Sequence, residues 1–437
     1  MINIRLNTNH FSRLNIDYAY LRNGFRVLDP GGGTRGAYFM SEQLNHTSNS
    51  EIVYVDFSKS SMAYAQLLIQ IRKTSNVVWV ISWIEAIPLL GLGQFDFASC
   101  TGVLHHLKSP QKGLNVMKDV QVPNGGANLM VYGKYGRTGI YQLQQLFKVI
   151  NRKERGISVE ISNAKKILYT LPNNHPWFSR KDKATNDDDI EIYDLLLHKR
   201  DVAYSISSLH GWVESSNYHI INFALAKSRA GLTLDVMIPE QRLQKIISQL
   251  GIYDKYWILD ILAGHIRTHE IYISKNVNAE ANLFAKGMTI FANGSPIQLQ
   301  NIFNDNRFHS YMKNRTYQYR GIVTSYIEES GLSSRVGYTS KGSVSDFVLP
   351  LTNLSKFIFT RLTSLPTRPR LVLELMKEFR SETKHKGTDE ILRNEFQELF
   401  LHLRQTGIFY FKHKSVGLFP KTCCFNKFKL NGNRKLW

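Results

Sequence analysis

Three short apolar runs follow one another between Phe25 and Leu107, each ending in a loop of small, polar or acidic residues. They restrict the chain to a parallel α/β sheet. The runs are Val27-Leu28-Asp29-Pro30-Gly31-Gly32-Gly33-Thr34, then Ile52-Val53-Tyr54-Val55-Asp56-Phe57-Ser58, then Phe95-Asp96-Phe97-Ala98-Ser99-Cys100-Thr101-Gly102-Val103-Leu104-His105-His106-Leu107. Amphipathic segments separate them, and that alternation builds β-α-β units. A sheet of this kind binds ligands at its carboxyl edge, where the strand order reverses. The loops suit such a site. The glycine turn lets backbone approach a ligand closely, and Asp56, 23 residues beyond Gly33, can accept two ribose hydroxyl hydrogen bonds.

The pattern predicts strands at 25–29, 51–56, 77–81, 95–101 and 127–133, with helices at 36–45, 58–72, 110–121 and 136–151. Ser58 is the expected cap of the second helix, since its hydroxyl can accept an orphan backbone N–H. Ser109-Pro110 opens the next with a cap and an N1 proline. Pro123-Asn124-Gly125-Gly126 reads as a turn into the fifth strand. Beyond these lie a polar stretch over 152–203 that includes Asn186-Asp187-Asp188-Asp189, a helix over 206–215, and strands at 219–224 and 269–275. The residues between the last two strands, 225–268, read as helical and long enough to cap a site.

Taken together, Asp29, Gly31 and Gly33 in an Asp-x-Gly-x-Gly turn, the acid Asp56, the Phe95-Asp96 opening and the Leu-His-His-Leu that follows resemble a class I S-adenosylmethionine-dependent methyltransferase of the broad small-molecule type. The resemblance covers roughly residues 20 to 275. It implies a Rossmann-like doubly wound sheet with an antiparallel last strand and S-adenosylmethionine as cofactor. By the same resemblance Asp29 and the backbone of Gly31, Gly32 and Gly33 hold the methionine end, with Thr101 and Gly102 lining that side. Asp56 takes the ribose, Phe57 lies beside the adenine, and Ser82 and Trp83 flank its edge. Two positions depart from the family pattern. Arg35 stands where a third glycine is usual, with Gly36 one step later. Ser82 stands where an acid usually receives the adenine amine, and offers only an uncharged hydrogen bond.

Methyl transfer from a sulfonium is an in-line displacement that depends on placement. His106, and less directly His105, sit where an acceptor would meet the methyl group, and a histidine there can take its proton near neutral pH. Tyr132, Tyr135 and Arg137 follow the fifth strand in a glycine-punctuated loop, where Arg137 can clamp a substrate carboxylate or phosphate. A packed or capping histidine and a solvated loop arginine are the plain structural alternatives. The expected acceptor is a small molecule or peptide. No Asn-Pro-Pro-Tyr signature points to nucleic-acid amines. An RNA methyltransferase using the basic C-terminal half, and a non-catalytic binding protein of the same fold, are the competing readings.

The charge is uneven along the chain. Its 437 residues carry a net charge of +20. Residues 1–275 hold 31 Lys and Arg against 23 Asp and Glu, while 276–437 hold 24 against 12. No acid follows Glu398, and the tail has a single basic-aromatic stretch, Phe425-Asn426-Lys427-Phe428-Lys429. We read that excess as a solvated tail rather than a nucleic-acid surface. The expected layout is a methyltransferase domain over 1–275, a connecting region over 276–345 with weak periodicity, and a basic, mainly helical, winged-helix-like module over 346–437. Three cysteines, two of them adjacent at Cys423 and Cys424, exclude a disulfide scaffold and offer no metal spacing. No apolar run approaches the ~18 residues of a membrane span. Expected, then, is a cytoplasmic enzyme with no membrane partner and no metal.

Overall fold

The computed structural model describes residues 24–277, apart from 45–48, 155, 180–188, 199, 224–233 and 239, and farther along it describes separate segments between 279 and 413. The Cys423-Cys424 pair, the Phe425–Lys429 stretch and Asn186–Asp188 lie outside the described residues. Eight strands form the main sheet. They are β1 (Arg26–Pro30), β2 (Glu51–Asp56), β3 (Val77–Ile81), β4 (Phe95–Thr101), β5 (Gln121–Gly133), β6 (Ala203–Tyr204), β7 (His219–Phe223) and β8 (Thr268–Ser274). The spatial order is β3-β2-β1-β4-β5-β8-β7, with β6 beside the end of β5. β1 through β5 run parallel. β8 runs antiparallel to both β5 and β7. This is the doubly wound sheet with an antiparallel strand that the sequence implied. The order reverses between β1 and β4, so the loops after those two strands face one another.

Burial explains why these segments are strands. Val27, Leu28, Ile52 through Val55, Phe97 and Ala98 are all essentially solvent-free, and a parallel strand covered on both faces must read as a near-continuous apolar run. The helices α1 (Gly36–Leu44) and α2 (Lys59–Arg72) cover one face, packing Ala37, Met40, Met62 and Ala65 on Tyr54 and Phe97. The opposite face carries α3 (Pro110–Asp119), whose Leu114 and Met117 join Leu28, Val53 and Leu129. Ser58 accepts the Ser61 N–H, and Ser109 accepts that of Lys112 ahead of Pro110, so both caps form as expected.

Three expectations need correction. Pro123-Asn124-Gly125 does not precede the fifth strand but bulges out of it. Phe95 pairs with Gln121 and Phe97 with Gly126, so four residues face one across the ladder, and proline tolerates such a bulge because it has no N–H to offer the ladder. The stretch after α4 (Thr138–Ile150) is less polar inside than its charge suggests. α5 (Ile157–Thr170) buries Ala164 and Leu168 against Leu143, Phe147, Trp177 and Leu196, a satellite core that the short α6 (Asp189–Ile192) completes through Ile192. Finally, the helices between the last two strands do not all cap the site. They are α8 (Leu234–Met237), α9 (Gln241–Ser248) and α10 (Ile252–Ala263). The Tyr253 ring of α10 packs at a tilt 4.0 Å from that of His210 of α7 (Ile206–Glu214), and the Tyr256 ring lies 3.9 Å from that of Phe223. α10 therefore shields the β7 flank of the sheet.

The C-terminal segments hold more sheet than periodicity revealed. β10 (Tyr317–Tyr319), β11 (Val323–Tyr326), β12 (Ser333–Ser340) and β13 (Ser343–Pro350) form an antiparallel meander. β9 (Met288–Ala292) pairs with both β14 (Arg370–Leu371) and β15 (Phe409–His413). Within the module expected to be mainly helical, helices run over Val372–Thr383 and Asp389–Gln405. No helix among the described residues is long and apolar enough to cross a membrane.

Candidate active site

The loop after β1 is fixed from β2. The Gly33 N–H donates to Asp56 Oδ2 at 2.9 Å, and the Tyr54 hydroxyl donates to the Gly33 carbonyl at 2.7 Å. Gly31 and Gly33 adopt φ of +72° and +55°, the region open to glycine. A Cβ at Gly31 would lie 2.6 Å from the Val103 side chain, so the β1 loop packs directly against that side chain of the β4 loop. Asp56 Oδ1 also accepts the Ser58 N–H at 2.8 Å. Each carboxylate oxygen keeps a further lone pair, so the acid can hold the turn and still accept ribose hydroxyls.

Asp29 is placed otherwise than expected. Its carboxyl lies beneath the turn, where a Cβ on Gly36 would come within 2.3 Å of Oδ2 and one on Gly32 within 2.6 Å. Burial, with the charge of Asp56 adding, pushes its pKa up to about 8. Burial thus favours the neutral form of this carboxyl under the loop. The same contact answers the first departure from the family pattern. Gly36 is the glycine that the opening of α1 requires, and Arg35 is exposed.

On the adenine side, Phe57 and Trp83 are both well exposed and stack on each other, with ring centroids 4.5 Å apart and planes 9° from parallel. Rings that close leave no slot between them, so what they offer is an outer aromatic face. The Ser82 N–H donates to the Asp56 carbonyl and its hydroxyl to the Trp83 carbonyl. Thr101 is exposed at the end of β4, and Gly102 follows with φ of +80° and its N–H on the Met130 carbonyl.

Across the switch point the structure gathers the acceptor-side residues. The His105 ring lies 3.9 Å from that of Tyr132 and 4.2 Å from that of His106, and the Arg137 guanidinium sits 3.5 Å over Tyr132. His105 is solvent-free, and neither ring nitrogen has a hydrogen-bond partner among the described residues. Burial first, then the neighbouring His106, Arg137 and His198, depress its pKa to about 2. Burial therefore favours the neutral ring. His106 is only partly buried, and its Nδ1 lies 2.9 Å from the Arg200 carbonyl oxygen. A carbonyl can only accept, so Nδ1 carries the proton and Nε2 keeps the lone pair. Burial also lowers the His106 pKa, partly offset by that hydrogen bond.

Arg137 is not a free clamp. It is buried and paired with Asp201 at 3.2 Å, and Asp201 also accepts from Tyr141 and Gln144. Tyr135 stands in the short turn ahead of Arg137. Asp201, Arg200 and His198 went unnoticed in the sequence because they end the polar stretch with no motif around them. Their position comes from β6, which pairs Ala203 and Tyr204 with Tyr132 and Gly133, and from the Val202 N–H on the His105 carbonyl. No three His, Cys, Asp or Glu residues among those described are grouped to hold a metal ion.

Comparison with known proteins agrees with this geometry. Residues 28–127 match a family model described as a methyltransferase domain. An uncharacterized protein of a Synechococcus species is 25% identical over 258 residues, which is 57% of this chain and 60% of that protein, so the chain spans less than two thirds of that relative's length. PKMT2 from Rickettsia typhi has a similar fold, with a TM-score of 0.54, 16% identity, and coverage of 89% of this chain and 71% of that one. The same protein in complex with AdoHcy gives a TM-score of 0.55 at 13% identity, covering 89% and 72%. Residues 28–127 thus match a methyltransferase domain, and the sheet that holds them has the fold of solved methyltransferase structures.

Proposed function

We propose that the chain transfers a methyl group from S-adenosylmethionine to a small-molecule or peptide acceptor, with His106 Nε2 receiving the proton the acceptor gives up. The observation that carries this reading is the 2.9 Å contact between His106 Nδ1 and the Arg200 carbonyl. It fixes the tautomer, with the proton on Nδ1 and the lone pair on Nε2 left for an acceptor, while burial favours the neutral ring. The bound cofactor supplies an electrophilic methyl on sulfur. Asp56 accepts the ribose hydroxyls, the Phe57–Trp83 pair presents an aromatic face to the adenine, and the Gly31–Gly33 backbone with Thr101 and Gly102 lines the methionine end. His105 and Tyr132 wall the acceptor side and limit water there, and the Arg137–Asp201 pair fixes Tyr132 from behind.

The exposed position of Arg35 supports the catalytic reading over the non-catalytic one. Calorimetric titration with S-adenosylhomocysteine tests the cofactor half, and saturable heat that Asp56→Ala abolishes is the expected result. Methyl-labelled cofactor incubated with fractionated small molecules and peptides tests the transfer half. Label should reach an acceptor with the native chain and fall about 10²–10⁴-fold with His106→Gln, the range for loss of a general base. No cofactor heat at millimolar ligand overturns the proposal.

A further inference from the structure

The end of the sheet away from the acceptor site carries an unguarded edge. β3 is the outermost strand, and no strand among the described residues pairs with its outer side. Its sequence, Val77-Val78-Trp79-Val80-Ile81, is wholly apolar, with Val78 and Ile81 about half exposed. Edge strands are ordinarily blunted by a lysine, a proline, a bulge or a covering element, because their free N–H and C=O groups template pairing. Among the described residues β3 has none of these, and no charged residue lies between Lys73 and Glu85. Beside it, α2 carries a second apolar stripe, Tyr64, Leu67 and Ile71, on the side opposite its buried Met62, Ala65 and Ile69. Helical spacing puts those three on one outward face.

We propose that this edge binds a second copy of the chain, through antiparallel β3–β3 pairing about a two-fold axis at Trp79. The strand is complementary to itself in that arrangement. Val77 falls opposite Ile81 of the other copy, Val78 opposite Val80, and the two Trp79 side chains meet at the axis, the β-branched and aromatic pairings that stabilise adjacent strands. The charges nearest the strand agree. Arg72 and Lys73 lie just before β3 and Glu85 just after it, so antiparallel pairing brings the basic end of each copy to the acidic end of the other. Parallel pairing would set like charges side by side. An isologous two-fold contact also closes on itself rather than polymerising. Five paired residues bury too little for a stable dimer, which draws on about 800 Å² from each partner. The α2 stripe at the same end of the sheet supplies the additional apolar area.

The test is the solution mass of the full chain by size-exclusion chromatography with light scattering, alongside variants that leave the cofactor residues alone. The native chain should run at twice its 50.3 kDa mass. Val78→Lys, at an exposed position, should keep the unfolding transition and weaken the dimer at least tenfold, about 1.4 kcal/mol. Glu85→Lys should weaken it, and adding Lys73→Glu should restore it, a rescue that a merely structural role would not give. A native chain that is monomeric at concentrations on the order of 100 μM, or a dimer that Val78→Lys leaves intact, overturns the proposal. The second result would assign dimerisation to another face or another segment of the chain.

Discussion

Asp56 and Gly33 are joined at the carboxyl edge of the sheet, the carboxylate of one accepting the backbone N–H of the other at 2.9 Å. In the proposed function this one acid both shapes the turn and receives the ligand. Asp56→Asn should separate the roles, because it keeps an acceptor oxygen and loses the charge. Hydrogen bonds to a charged group are worth about 1.5–3 kcal/mol each, so S-adenosylhomocysteine affinity should fall about 10-fold to 100-fold in calorimetry. Asp56→Ala should lose more, with a lower unfolding midpoint because the Ser58 and Gly33 N–H groups are released as well.

The Gly36 prediction turns on space rather than charge. A Cβ there would press into the Asp29 carboxyl at 2.3 Å, and overpacking of this kind costs about 1–3 kcal/mol. Gly36→Ala should lower stability by that amount in urea unfolding. Arg35→Ala, at an exposed site, should stay within about 0.5 kcal/mol and leave cofactor affinity unchanged. A gain in affinity from Arg35→Ala would show that the arginine obstructs the site.

The two glycine results also mark what the sequence conveyed. The strands β1 through β4 were legible to within a residue because a parallel strand buried on both faces must be apolar throughout, and the caps Ser58 and Ser109 follow local rules. The expected cofactor-side positions came from the family resemblance that Asp29, the glycines and Asp56 carry. The direction of the Asp29 side chain did not, since spacing says nothing about which side of the turn a carboxyl takes. On the acceptor side, His105 and His106 stood out, but Asp201 and Arg200 did not. Their place depends on a two-residue strand, β6, too short to produce any periodicity. The β10–β13 meander was missed for a related reason, its Ser-rich and Gly-containing strands lacking strict alternation.

The Arg137–Asp201 pair is almost wholly buried on both sides. Removing one partner strands a charge in the interior, which costs about 3–5 kcal/mol. Asp201→Asn should destabilise the chain by that order and slow methyl transfer, because Arg137 then no longer holds Tyr132 in place. The double change Arg137→Met with Asp201→Leu should recover much of the stability, since an apolar pair of similar volume leaves no charge behind. Urea unfolding of the single and double variants measures both. Recovery of stability without recovery of transfer would mark the pair as a positioning device for the site.

Stability should depend on pH through two buried groups of opposite sign. The Asp29 carboxyl, raised by burial to about 8, is favoured neutral in the folded state. Its contribution is fully present below the ordinary carboxylate range, near 4, and is lost as pH rises through about 8. His105 is depressed by burial to about 2. Its contribution is present above the ordinary histidine value, near 6.5, and is lost as pH falls toward 2. Between roughly 4 and 6.5 the two oppose each other, and between 6.5 and 8 only Asp29 acts. Urea unfolding at several pH values within that upper window should show native stability falling relative to Asp29→Asn, by at most ~1.4 kcal/mol per pH unit. His105→Gln should remove the acid-side loss and leave the upper window as it was. If the stability difference between the native chain and Asp29→Asn stays flat from pH 6.5 to 8, the carboxyl under the glycine turn is ionised in the folded protein.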